Sequence, residues 1–370
     1  MSAPNRLGYQ PALDGLRAVA VTLVIASHLD VPHLAGGFIG VHMFFALSGF
    51  LITTLLLQER EQTGRISLPL FYARRALRLF PALLVVVLAT DVYLAPDTGN
   101  PVRSVTIGST GPVLLYVANW EWVVHGVGSL GWFGHMWSLA VEEQFYLLWP
   151  LALIGATRHR WSYARLAVVI AAGCLVSLLL RVFASDVFKA GFFATPMIAE
   201  LLLYGALVAV LLRLPRPHQF LVAAARGWWL AAAYLGFYVL ATGTRLLANA
   251  DLANGPALSL VAISTVVLIV AVLDQPASLA ARLLSLRPVV YLGRISYGMY
   301  LWHIPVCFAI AEQVGFGDGQ HRYYWVAGYA ATVVVAAVSK RVVEEPALRL
   351  KDRLHPGAPS RPPADAPSSI

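Results

Sequence analysis

Arg17 and His28 stand eleven positions apart in one apolar run, LDGLRAVAVTLVIASHL (13–29). At 100° per residue that spacing is about three helical turns, so both side chains would share one face, roughly 16 Å apart along the axis. A cation and a base on one stripe of a membrane helix are costly to bury and mark a functional site. Glu142 and Glu143 lie in HMWSLAVEEQFYLLWP, His303 in YLGRISYGMYLWHIPV and His42 in GGFIGVHMFF, each again inside an apolar run. A histidine within hydrogen-bond reach of a carboxylate can serve as a general base with an orienting partner. Arg74, Arg75 and Arg78 in FYARRALRLFP join Arg17 as a group of guanidiniums suited to a multiply phosphorylated ligand.

Each of these residues also has a plainer reading. An arginine at the end of a span snorkels to the headgroups, and His303 can be a hydrogen-bond donor within the bundle. Glu142 and Glu143 point about 100° apart, so one of them reaches a given cavity and the other bonds a neighbouring helix. Ser48, beside Gly49, reads as a small residue that lets helices approach closely rather than as a nucleophile. No metal site is expected: there is no His-Glu-x-x-His, and Cys174 and Cys307 sit inside apolar runs as small core residues.

These groups need helices in a membrane to position them. Of the 370 residues 58% are hydrophobic and 12% charged, half the charge of a soluble domain, about 25%. Ten apolar windows follow, at 13–29, 37–57, 79–95, 136–156, 166–183, 194–212, 228–244, 257–273, 290–311 and 323–340. The fold class predicted is an all-α polytopic membrane protein with about ten transmembrane helices and both termini cytoplasmic. In that orientation the basic clusters at 60–78, 158–165, 213–226, 282–287 and 340–353 all face the cytoplasm. Their division among short loops argues for orientation and against nucleic acid. A shorter apolar stretch, 111–124, carries Glu121; letting it span would invert the next three clusters, so it is predicted as a re-entrant or interfacial element on the outer face. The first dozen residues lack the features of a secretory signal, so the first helix is expected to be retained. The domain division is a transmembrane domain over 1–350 and a cytoplasmic tail over 351–370, whose Pro/Ala/Ser-rich end from His355 cannot bury a core. By this topology His28, His42, Glu142, Glu143 and His303 share a layer in the outer half of the bilayer.

Taken together the motifs resemble the acyltransferase 3 family of bacterial membrane O-acyltransferases, from about Pro11 to Leu350. The family's Arg followed after ten residues by His is Arg17 and His28, and its Gly-rich second helix is GGFIGVHMFFALSGFLIT. Its Arg-x-x-Arg is Arg75 and Arg78, its Trp-Ser-Leu-x-x-Glu-Glu-Gln-Phe-Tyr is Trp137 to Tyr146, and its Ser-Tyr-x-x-Tyr-Leu-x-His is Ser296 to His303. Glu344, Glu345 and Pro346 echo its closing motif. One position departs: His42 stands where the family carries Asp two residues before the paired Phe, so Glu142 or Glu143 is expected to supply the negative charge beside His28.

The resemblance implies a multi-pass protein of the bacterial cytoplasmic membrane that moves a short acyl group from acyl-CoA to a hydroxyl of a sugar or glycosylated metabolite. Arg17, Arg74, Arg75 and Arg78 would bind the CoA phosphates. Its pantetheine arm would thread between spans 1 and 2 past Gly36, Gly37 and Gly40. His28 would be the base, oriented by Glu142 or Glu143, and His42, Trp137, Tyr300 and His303 would meet the acceptor. A macrolide-like glycoside is the alternative acceptor and a membrane transporter the competing class. Nothing in the sequence speaks against a homo-oligomer.

Overall fold

The computed structural model describes residues 7–97, 99, 101–184, 191–244, 255–314 and 321–353. Among these residues the regular elements are helical and no strand occurs. A helix satisfies its own backbone, as an apolar chain in a bilayer must. Three long helices come first: α1 (Pro11–His28), α2 (Ile39–Thr63) and α3 (Leu68–Leu94). Three short ones follow, α4 (Pro101–Gly108), α5 (Thr110–Leu114) and α6 (Ala118–His125). Then come α7 (Met136–Arg158), α8 (Tyr163–Ala184), α9 (Thr195–Leu211), α10 (Pro215–Ala225), α11 (Trp228–Gly243), α12 (Pro256–Asp274) and α13 (Leu279–Leu284). The chain closes with α14 (Arg287–Val314), α15 (His321–Ser339), a π-helical turn (Lys340–Glu344) and α16 (Glu345–Arg353).

A helix lies over each of the ten apolar windows. Five stretches are long and apolar enough to cross a membrane: Ala35–Thr63, Leu68–Leu94, Tyr163–Ala184, Pro256–Asp274 and Tyr324–Leu350. A sixth arises if α9 and α10, bent by 118°, count as one. The protein is thus a multi-pass membrane protein. Three other long helices, α1, α7 and α14, fall short of that criterion, and they are the three that carry His28, Glu142 with Glu143, and His303. Polar chemistry lowers the apolarity of the helices that hold it.

Some boundaries differ from the sequence reading. Pro69 starts α3 well before residue 79, because proline in a first turn gives up an N–H that is unbonded there anyway. Arg74, Arg75 and Arg78 therefore ride inside a helix rather than ahead of it. The 111–124 stretch is not one continuous helix: α5 and α6 are separated at Tyr116, whose φ is 56°. The turn and helix after α15 carry the chain to Arg353; the predicted tail from 354 onward lies outside the described residues.

α1 is the centre of the bundle, flanked by α14 and α2, and α2 packs in turn on α9. Close approach there needs glycine: a Cβ at Gly49 would fall onto the Leu202 carbonyl, and one at Gly205 onto that of Ala46. The most apolar window of α2 is 78% buried and that of α8 only 33%, so α2 is an inner helix and α8 part of the outer ring. Val168, Leu175, Val176 and Phe183 on α8 are exposed, as suits a face solvated by lipid.

Candidate active site

A cavity of about 280 Å³ lies between α2, α3, α7 and α14, with Arg17 of α1 on its wall. On α7 it is lined by Tyr146, Glu142 and Ser138. These residues are spaced by four and form one stripe, with steps of about 6 Å along the helix. The Arg75 guanidinium lies 3.0 Å over the Tyr146 ring, which places the arginines at the Tyr146 end. Ser48 and Glu142 make the middle, and Ser138 with Tyr300 the far end.

The arginines are not equivalent. Arg75 and Arg78 are three apart and share a helix face. Arg75 donates from Nη2 to Glu143 at 2.7 Å and from Nε to both carboxylate oxygens at 3.1 and 3.3 Å. Arg78 is exposed and makes no hydrogen bond or ion pair among the described residues. Arg17 reaches Asp14 at 3.5 Å across one turn of α1. Arg74 is half-buried and is not among the residues that line the cavity.

The two carboxylates diverge, as their 100° offset requires. Glu143 turns to Arg75, while Glu142 faces the cavity and accepts hydrogen bonds from the hydroxyls of Ser48 and Tyr146. Ser48 therefore does more than let α2 pack closely, a role that falls to Gly49. Neither carboxylate is bonded to His28. The expectation that one of them orients the imidazole gives way to a backbone contact: His28 Nδ1–H donates to the Val24 carbonyl at 2.9 Å. A carbonyl only accepts, so that bond fixes the tautomer and leaves Nε2 with the lone pair.

The neighbours of His28 are histidines. Its ring centroid is 5.0 Å from that of His303, which is 4.8 Å from that of His135. His303 is fully buried; its Nδ1–H donates to the Tyr300 carbonyl at 2.6 Å and its Nε2 has no partner. His135 has a reason to be where it is. Pro305 inside α14 has no N–H, so it leaves the Leu301 carbonyl four residues earlier without its helical bond. His135 Nε2–H caps that carbonyl at 3.2 Å. The Nδ1 of His135 is then unpartnered. Among the described residues no group of three or more His, Cys, Asp or Glu side chains is arranged to hold a metal.

Other predicted site residues lie apart from this cluster. His42 is buried between the rings of Phe38 and Phe45, at 5.8 and 6.3 Å, with neither ring nitrogen bonded. Trp137 belongs to an aromatic stack with Phe193 at 4.8 Å, Phe45 at 6.1 Å and Trp122 at 6.2 Å. Gly36, Gly37 and Gly40 do not line a passage between α1 and α2. A Cβ at Gly37 would fall onto the Leu23 carbonyl, one at Gly40 onto that of Ala20, and Gly36 packs on Val239. That seam is closed by backbone contact, and open space lies instead on the α3–α7–α14 side.

Sequence reading also passed over a buried ion pair, Arg181 of α8 with Glu200 of α9. The Glu200 carboxylate accepts further bonds from Ser177 at 2.6 Å and Ser259 at 3.4 Å. A charge within an apolar run was the available signal for each partner; that they meet across two helices was not readable. Glu344 is likewise buried, with Oε1 unbonded and 3.3 Å from where a Cβ of Gly298 would lie. The π-helical turn that ends on it is a common device for re-aiming a side chain at a functional site.

The comparisons agree with one another. The acyltransferase domain profile matches residues 10–341. O-acetyltransferase OatA of Staphylococcus aureus is 32% identical over 357 residues, covering 91% of this chain and 57% of the relative. Peptidoglycan O-acetyltransferase OatA of Listeria monocytogenes is 33% identical over 355 residues, covering 91% of this chain and 56% of its own length. The chain thus spans little more than half the length of these relatives. No solved structure matches. A profile match along almost the whole membrane region, on the helices that carry the arginines, carboxylates and histidines just described, means that the chain belongs to the acyltransferase 3 family.

Proposed function

We propose that this protein is an O-acyltransferase of the cytoplasmic membrane that takes an acetyl or similar short acyl group from acyl-CoA and delivers it to a hydroxyl of a cell-envelope carbohydrate. The observation that carries this reading is the cavity itself. It has arginines at one mouth and hydroxyls at its far end, with a tautomer-fixed histidine cluster packed behind. In this reading the chain crosses the membrane ten times with both termini cytoplasmic, as its basic loops favour, and the arginine mouth faces the side where acyl-CoA is found.

In this reading Arg17 and Arg78 hold the CoA phosphates, and Arg75, already neutralised by Glu143, shapes the mouth. The pantetheine arm lies along the α7 stripe past Glu142. The acceptor hydroxyl approaches from the outer face and gives its proton to His28 Nε2 as its oxygen attacks the thioester carbonyl. The tetrahedral intermediate collapses, the C–S bond breaks and the CoA thiolate takes the proton from His28. The names of the relatives, O-acetyltransferases of which one is specified as acting on peptidoglycan, support acetyl as the group and a glycan as the acceptor.

The test is sidedness. In proteoliposomes of the purified protein, acetyl-CoA is supplied on the arginine-mouth side only and peptidoglycan fragments on the other, with products read by mass spectrometry. The proposal expects O-acetylated glycan on the far side and none when donor and acceptor sides are exchanged. Transport of a solute without consumption of acetyl-CoA would place the protein in a different class.

A further inference from the structure

The end of the cavity remote from the arginines carries two hydroxyls whose hydrogen bonds leave a proton to spare. Ser138 and Tyr300, from α7 and α14, lie 2.6 Å apart through their oxygens. Tyr300 O–H also donates to the His135 carbonyl at 2.6 Å, and Ser138 Oγ lies 3.4 Å from that same carbonyl. Two O–H donors thus share one carbonyl, and this carbonyl already accepts the Ser138 backbone N–H. One of the two protons can turn into the cavity while the carbonyl keeps a partner. The apolar part of the cavity lining includes Val41, Phe44, Phe45 and Leu139, which offer nothing to an oxygen atom, and Glu142 one turn along α7 is already bonded to Ser48 and Tyr146. On the other side of Tyr300 the rings of His135 and His303 pack at 5.4 and 5.5 Å, with His28 next to His303.

We propose that Ser138 and Tyr300 are catalytic residues that form the oxyanion hole of acyl transfer. The proposal rests on the acyl-CoA reading above. When the acceptor oxygen bonds to the thioester carbon, the carbonyl π pair moves to oxygen, and the spare O–H of the Ser138–Tyr300 pair donates to that oxyanion. The acceptor proton goes to His28; on collapse the C=O re-forms, the C–S bond breaks and the thiolate takes the proton back. Donors held in place by the protein need no reorganisation as the charge develops, which is why such sites are effective.

Tyr300→Phe and Ser138→Ala each remove one hydroxyl and little else. Acetyl-CoA binding by calorimetry, steady-state transfer and acceptor-free hydrolysis of acetyl-CoA are measured for both variants and wild type. The expected result is unchanged donor binding, with kcat for transfer and for hydrolysis both falling about 10²-fold. Unaltered kcat in both variants overturns the proposal. So does a rise in hydrolysis as transfer falls, since the hydroxyls would then only seal the cavity. A wild-type protein that neither binds nor turns over acetyl-CoA overturns the donor reading itself and is seen before any variant is compared. If Tyr300→Phe does not fold, Ser138→Ala decides, with Ser138→Thr expected to recover activity because it returns a hydroxyl.

Discussion

Arg75 and Arg78 sit one turn apart on the same face of α3, yet their removal is expected to damage different properties. Arg78 is exposed at the cavity mouth and makes no hydrogen bond or ion pair among the described residues, so Arg78→Ala is expected to cost the fold little. A charge-assisted bond from its guanidinium to a CoA phosphate is worth about 1.5–3 kcal/mol, which is about a 10- to 150-fold rise in KM for acyl-CoA. Arg75 is bound to Glu143, and the two side chains are 17% and 15% exposed. Breaking a fully buried pair costs about 3–5 kcal/mol; at this residual exposure about 2 kcal/mol is the appropriate figure, with about 1 kcal/mol more for the lost stacking on Tyr146. Arg75→Ala should therefore lower the melting temperature in detergent, and Arg75→Ala with Glu143→Ala should recover most of the loss, because no carboxylate is then left unpaired. Scanning fluorimetry and donor titrations on the three variants check this. The reasoning is refuted if Arg78→Ala leaves KM unchanged, or if Arg75→Ala melts like wild type.

The Arg181–Glu200 pair should follow the same rule more strongly, since its side chains are 1% and 0% exposed. Arg181→Met alone is expected to destabilise by about 3–5 kcal/mol, while Arg181→Met with Glu200→Gln comes within about 1 kcal/mol of wild type; thermal unfolding of the two compares them. Gly49→Val should separate α2 from α9 and cut the yield of monodisperse protein, whereas Gly155→Val, where a Cβ meets nothing within 4 Å, should not. Size-exclusion profiles of the two preparations distinguish them.

The helices were legible because apolar windows of membrane length leave little choice of structure. Their ends were less so: the start of α3 depends on Pro69, and although Arg213 and Pro215 mark the end of α9, the 118° bend by which α10 leaves it is a matter of tertiary packing. At the site, residue types were readable and partners were not. The divergence of Glu142 and Glu143 follows from helix geometry alone, but the expectation of a common layer did not say which groups touch. His28 is oriented by a carbonyl of its own helix, and its ring neighbours are His303 and, one further on, His135. That arrangement depends on the carbonyl that Pro305 frees, a tertiary consequence of one residue. The glycines of the second helix were read as space for a ligand, yet backbone fills that space.

His28 as the base that makes acyl-CoA transfer possible is the centre of the account, and one comparison addresses it most directly: turnover and acetyl-CoA affinity of purified His28→Ala beside wild type. The account predicts that transfer falls by about 10²–10⁴-fold while the dissociation constant for acetyl-CoA, set at the arginine mouth, stays within about twofold. Turnover near the wild-type rate in His28→Ala would contradict it.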